Sequence, residues 1–169
     1  NEFSFQLSRC QYRALAGPCE EQLLHIDSRL PGVSPITSLH VFLYLSDVAL
    51  EDGPTRVVPF SHKSNRYPTV SDDKISQPIL VKAGDCLVLD SSLWHGSSLK
   101  SSHTIRPIVA LAYSRWWMRQ QFQFPYSIPS SIVDRLTNQE KLVLGFSNYP
   151  PLSCNDRLSS RGPLPVLPK

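Results

Sequence analysis

The sequence predicts a mainly β domain, a sandwich or barrel, on three observations. Short segments rich in β-branched and aromatic residues recur along the chain, turn signals separate them, and 15 prolines against 7 glycines favour short elements joined by stiff turns over long helices. Phe3-Ser-Phe-Gln-Leu7 alternates in the period of a strand, and Ser38-Leu-His-Val-Phe-Leu-Tyr-Leu45 is the richest β run. Arg56–Val58, Pro78–Val81, Cys86–Leu89 and Ile108–Tyr113 continue the series. The turns are Glu51-Asp-Gly-Pro54, Ser71-Asp-Asp73, Ala83-Gly-Asp85 and His95-Gly-Ser-Ser98.

One helix is expected late in the chain. Ser131 is its N-cap, with Asp134 three residues on, and Ile132, Val133, Leu136 and Val143 supply an apolar stripe that ends before Gly145. Arg115-Trp-Trp-Met-Arg-Gln-Gln-Phe122 reads as a strand end packing on the body. From Asn148-Tyr-Pro-Pro151 to Lys169 the chain reads as an irregular surface wrap.

Composition excludes several function classes. Hydrophobic residues at 41% and charged residues at 18% describe a folded chain, and no apolar run approaches the ~18 residues of a membrane span. A net charge of +3, dispersed, provides no basic groove for nucleic acid. Cys10, Cys19, Cys86 and Cys154 form neither a C-x-x-C pair nor a Cys/His cluster, so free thiols in a reducing compartment are expected, with a cytoplasmic location as the default. Nothing in the sequence speaks to oligomeric state.

The informative piece is His25-Ile-Asp27. If residues 21–27 are extended, side chains two apart share a face, and an imidazole and a carboxylate converge from one strand. Alone, H-x-D is common, and a solvated or capping pair is the ordinary reading. Further on, Gly84-Asp-Cys-Leu-Val-Leu-Asp-Ser-Ser-Leu-Trp-His95-Gly-Ser97 runs a buried strand into a turn that delivers a second histidine, and Arg106 follows eleven residues later. Two histidines and one carboxylate on one face of a metal leave positions open for ligands, as in non-haem Fe(II) oxygenases. An arginine on a neighbouring strand can clamp a carboxylate bidentately.

Taken together, these segments resemble the phytanoyl-CoA dioxygenase family of Fe(II)- and 2-oxoglutarate-dependent oxygenases. Gln22-Leu-Leu-His-Ile-Asp27 resembles the family's Q-x-x-H-x-D strand, and Asp52-Gly-Pro-Thr-Arg-Val-Val-Pro-Phe-Ser-His62 its N-G-x-x-x-x-x-P-G-S-H segment. Ala83-Gly-Asp85 through Trp94-His-Gly-Ser97, with Arg106, resemble the distal motif, so the likeness runs from Gln22 to Tyr113; the ending Leu144-Gly-Phe to Arg161-Gly-Pro163 is looser. The resemblance implies a double-stranded β-helix (a cupin-like jelly roll) with a few flanking helices. It implies His25, Asp27 and His95 as catalytic metal ligands for Fe(II), with 2-oxoglutarate and O2 as cosubstrates and a small molecule as substrate; from composition, neither nucleic acid nor a membrane is expected as a partner. Arg106 and Ser97 would take the far carboxylate of 2-oxoglutarate, Thr55 and Gln22 would touch the cosubstrate, and Phe42 would line the pocket. The implied reaction is oxidation of an unactivated C–H bond, by hydroxylation, desaturation or cyclisation, in secondary metabolism.

Some positions depart from the pattern: Phe60 replaces the glycine before Ser-His, which demands a different turn or a strained backbone, and Leu99 replaces a polar residue. Relatives carry a much longer stretch before the H-x-D motif, whereas 24 residues precede His25 here, so residues 1–169 read as a single jelly-roll domain lacking its N-terminal part. Of the remaining histidines, His62 reads as structural, His103 as solvent-exposed, and His40 as either a core residue or a pocket wall. Asp90 reads as a turn cap. Two other readings stay open: a cupin-type metal enzyme that does not use 2-oxoglutarate, against which Arg106 argues, and a non-catalytic jelly-roll module, against which the complete ligand set argues.

Overall fold

A computed structural model describes residues 5–28, 30–32, 34–146 and 148. Among these are seven strands: β1 (Phe5–Ala16), β2 (Ser38–Tyr44), β3 (Thr55–Val57), β4 (Gln77–Pro78), β5 (Cys86–Asp90), β6 (His95–Ser97) and β7 (Ile105–Arg115). They form a four-stranded sheet in the order β1-β7-β2-β5 and a three-stranded sheet in the order β4-β3-β6. The helices are short: α1 (Phe124–Ser127), α2 (Ser130–Val133) and α3 (Asn138–Val143). The expected mainly β architecture is thus present.

The described residues divide into two compact units. Residues 10–112 form one, with its own core and both histidine motifs; residues 5–9 and 113–146 belong to the other. In the first unit, strand alternation explains the core. On β2, His40, Phe42 and Tyr44 point inward and the residues between them do not. β2 pairs antiparallel with β5 in the register His40↔Leu89 and Phe42↔Leu87. Phe42, Tyr44, Leu89 and Ala110 of the larger sheet meet Val57 of the smaller one, the shared apolar layer of a β-sandwich. A second cluster of Leu24, Val58 and Trp94 lies under the two histidine motifs.

Several sequence expectations need correction. His95-Gly-Ser97 is a strand, not a turn: it pairs with β3 as Thr55↔Ser97, Arg56↔Gly96 and Val57↔His95. Gly96 signals a close approach, because a Cβ there would meet the Gln22 carbonyl oxygen at 2.5 Å. The strand expected over Pro78–Val81 shrinks to Gln77–Pro78, after which Val81 makes only an isolated bridge with Val48. β1 and β7 extend well beyond the segments expected for them.

The second unit corrects the expected helix. It is two pieces, because Thr137 captures the N-cap: its side chain accepts from the Glu140 N–H while Glu140 reaches back to Thr137. This capping box outcompetes continuation through residues 134–137. Gln120 ties the unit together by donating to the carbonyls of Leu7 (2.7 Å) and Leu144 (2.9 Å). Trp116 and Trp117 mark the end of β7 as expected, but they pack edge to face on each other at 5.9 Å and stay about half exposed. The expected surface wrap beyond Asn148, the start of the first expected strand and Cys154 lie outside the described residues.

Candidate metal centre

The segment around residue 25 is extended without belonging to a regular strand. His25 and His95 exchange backbone hydrogen bonds, His25 N–H to His95 O at 2.9 Å and His95 N–H to His25 O at 3.0 Å. One turn of chain away, the N–H groups of Asp27 and Ser28 both donate to Ser91 O, at 2.8 and 2.9 Å. Asp90 shapes that turn by accepting from the N–H and hydroxyl of Ser92 at 2.8 and 2.7 Å, the capping role expected of it. The H-x-D pair is thereby stitched across the end of β5 and the start of β6.

Side chains two apart on the extended segment share a face, so His25 and Asp27 converge with His95, whose ring lies 4.4 Å from that of His25. One ligand atom from each of the three residues falls within 4.8 Å of the other two. The histidines are preset as metal donors. Nδ1 of His25 faces Leu23 O at 3.0 Å, and Nδ1 of His95 faces Leu93 O at 2.9 Å. A carbonyl only accepts, so each Nδ1 carries the proton and each Nε2 presents a lone pair to the centre. His95 is buried while His25 and Asp27 are partly open, leaving one side of the cluster accessible. The donor set fits an octahedral metal that keeps free positions.

Asp27 has a partner that sequence reasoning left open. His40, buried on β2, places Nδ1 2.7 Å from Asp27 Oδ2, with the ring N–H bent away from the direct line; His95 Nε2 lies 3.4 Å from the same oxygen. Burial by itself would raise the Asp27 carboxyl, but the contact from His40, foremost among the opposing causes, outweighs it, and the group lies below the usual carboxylate range. Burial, and then the neighbouring His95, lower His25, which favours the neutral ring a metal requires.

Thr55, Ser97 and His95 share one face of the smaller sheet, because Thr55 pairs with Ser97 and Val57 with His95. Tyr44 comes to this face from the other sheet, its hydroxyl 2.8 Å from Thr55 Oγ1. Burial raises the phenol, an effect opposed by the Thr55 hydrogen bond and by the positive charge of Arg106. Arg106 donates through Nη1 to Gly53 O, and its Nε is buried with no hydrogen-bond partner. An orphaned buried guanidinium N–H fits a carboxylate. Gln22 is not drawn in by its side chain: it is exposed, and its contacts are made by the main chain, N–H to Ser97 O at 3.0 Å and C=O from Arg56 Nη2 at 2.9 Å.

A family model for phytanoyl-CoA dioxygenase matches residues 8–108. The chain belongs to the phytanoyl-CoA dioxygenase family. Among curated relatives, dioxygenase aneA of Aspergillus aculeatus is 30% identical over 141 residues, covering 77% of this chain and 47% of that protein. Dioxygenase andF of Emericella variicolor is 25% identical over 124 residues, covering 72% and 42%. The chain therefore spans less than half the length of these two relatives. Among solved structures, HygX of Streptomyces hygroscopicus with nickel, 2-oxoglutarate and hygromycin B bound matches with a TM-score of 0.59 at 20% identity, over 70% of this chain and 59% of that one. EctD from S. alaskensis matches at 0.58 and 19%, over 69% and 47%. Their likeness carries the jelly-roll fold.

The structure brings ligand atoms of His25, Asp27 and His95 together, sets Thr55 and Ser97 on the same face of the smaller sheet as His95, and leaves His103 exposed. Sequence reasoning missed Tyr44 as a member of the site and Gly96 as the residue that lets the two histidine segments touch. The signal for Tyr44 was available: His40, Phe42 and Tyr44 are spaced two apart on one strand, so whatever face one of them lines, all three line. Phe60 does take up a strained backbone, with φ at 65°. Among the described residues, no helix is long and apolar enough to cross a membrane.

Proposed function

We propose that this chain is the metal-binding part of an Fe(II)- and 2-oxoglutarate-dependent dioxygenase that oxidises an unactivated C–H bond of a small molecule in secondary metabolism. The observation that carries the reading is the convergence of His25, Asp27 and His95, with both Nδ1 protons committed to backbone carbonyls. The names of the fungal dioxygenase relatives and the ligands of HygX support it. When bound, the iron and 2-oxoglutarate supply oxidative decarboxylation of the keto acid to succinate and CO2, coupled to oxidation of substrate.

The chain's own residues have three tasks. His25 and His95 offer neutral nitrogen donors, and Asp27 offers one oxygen while His40 holds the other. Arg106 takes the far carboxylate of the cosubstrate, with Thr55, Ser97 and the Tyr44 hydroxyl beside it, and Phe42 belongs to the pocket wall. Leu24, Val58 and Trp94 back the histidines with apolar surface, which keeps water from that side and strengthens the charge interactions within. Gln22 stands on the open rim. The free thiols Cys10, Cys19 and Cys86 suit a reducing, cytoplasmic setting.

The reading is tested by following succinate from 2-oxoglutarate, under Fe(II) and ascorbate, against a panel of small-molecule substrates. Iron-dependent succinate release stimulated by one class of substrate is expected. Succinate release that survives both His95→Ala and removal of the metal contradicts it.

A further inference from the structure

Lys100 is 1% exposed, a depth at which a lysine needs partners for its charge. Its ammonium has three donors, and all three are used: on Ser102 O at 2.8 Å, on the Ser102 hydroxyl, and on Thr104 Oγ1 at 3.3 Å. The same two hydroxyls donate to one carboxylate oxygen, Asp52 Oδ1, at 2.7 and 2.6 Å. Each hydroxyl thus accepts from the cation and gives its only proton to the anion, so Lys100 and Asp52 form an ion pair relayed by Ser102 and Thr104. The other Asp52 oxygen accepts from Ala49 N–H at 3.0 Å.

This network grips the turn that anchors Arg106. Asp52 and Lys100 are antiparallel bridge partners, and Glu51 O accepts from the N–H groups of Ser101 and Ser102 at 2.9 and 3.0 Å. Gly53, with φ at +67°, lies so close that a Cβ would meet Lys100 Cβ at 2.9 Å. The next group in line is the Gly53 carbonyl, which accepts from Arg106 Nη1. Lys100 therefore presses on one side of the turn, and Arg106 hangs from the other. The pairing also explains the acidic residue at position 52, where the family motif has asparagine: an amide carries no charge to balance a buried ammonium.

We propose that Lys100 and Asp52 are positioning residues that fix Arg106 in the orientation needed to hold the far carboxylate of 2-oxoglutarate. The inference rests on the proposed function of Arg106. Lys100→Met removes the charge at similar length, Asp52→Asn removes its counterpart, and the double variant removes both without leaving either charge uncompensated.

The measurement is calorimetric titration of 2-oxoglutarate into the Ni(II)-loaded chain, with Ni(II) titration of the metal-free chain and thermal melting alongside. Each single variant is expected to weaken 2-oxoglutarate about tenfold with Ni(II) affinity unchanged, and the double variant to recover most of that loss. Should Lys100→Met fail to fold, the double variant Ser102→Ala, Thr104→Val, which removes both relaying hydroxyls and leaves both charges, is expected to give the same selective weakening. Single variants that bind 2-oxoglutarate as the wild type does overturn the inference while leaving the proposed function intact; so does an equal loss of nickel affinity, which marks a general structural role. A Ni(II)-loaded wild type that takes up no 2-oxoglutarate overturns both.

Discussion

His40 Nδ1 lies 2.7 Å from Asp27 Oδ2, the two residues standing 13 positions apart on separate segments. The contact turns a partly open carboxylate into a directed one: Oδ2, which His40 approaches, also lies 3.4 Å from His95 Nε2, and Oδ1 lies 3.9 Å from His25 Nε2. His40→Ala is expected to lower metal affinity about 10- to 100-fold, the usual range for losing a group that orients a ligand. His40→Asn, which restores a donor, should recover part of it. Nickel titration of both variants checks this, and equal affinities in wild type and His40→Ala would remove His40 from the site.

Gly96→Ala should be among the most damaging single-methyl changes in this unit. The added carbon would press on the Gln22 carbonyl at 2.5 Å, a backbone atom that cannot swing away. The segment carrying His25 must shift, at a cost of about 1–3 kcal/mol. A lowered midpoint in denaturant together with weakened nickel binding is the expected result; a variant that loses stability but binds nickel normally would show that the shift is absorbed elsewhere.

Phe60 should be replaceable with profit. It is three-quarters exposed and sits in the left-handed region, where a side chain is strained and glycine is not. Phe60→Gly relieves this at some entropic cost, for a net gain of about 1 kcal/mol. The check is the thermal midpoint, which should rise with metal affinity unchanged.

The acid limb of stability should depend on Asp52. Hydrogen bonds from Thr104, then Ser102, then Ala49 hold its carboxyl at about 2, below the ordinary value of 3.8. A carboxyl depressed in the folded state stabilises fully above its unfolded value and loses that contribution as pH falls through its folded value. The loss therefore falls between about pH 4 and pH 2. Asp52→Asn should flatten this part of a stability-against-pH curve, measured by denaturant titration at several pH values.

Much of this was legible in the sequence, for physical reasons that differ by element. Strand periodicity and the spacing of H-x-D reveal local geometry and residue chemistry, so the β class and the shared face of His25 and Asp27 could be read. Contacts across sheets could not. His40 was undecided between core and pocket because its partner, Asp27, is brought to it only by tertiary folding. Gly96 looked like a turn because a glycine required by a neighbouring backbone is indistinguishable in sequence from one required by φ. The late helix was read as continuous because its apolar stripe spans the break, whereas the Thr137–Glu140 capping box decides the boundary. Lys100 sits in the polar run Lys100-Ser-Ser-His-Thr104, and nothing local tells that its side chain turns inward.

The central claim is that one metal, held by His25, Asp27 and His95, and one carboxylate, held by Arg106, define a cosubstrate site. The most direct measurement is 2-oxoglutarate binding by calorimetry with and without Ni(II), for wild type, Asp27→Ala and Arg106→Ala. The account predicts one site that requires the metal, is lost in Asp27→Ala, and is weakened in Arg106→Ala while that variant still binds nickel. Binding of 2-oxoglutarate that is indifferent to the metal, or as tight in Arg106→Ala as in the wild type, would contradict it.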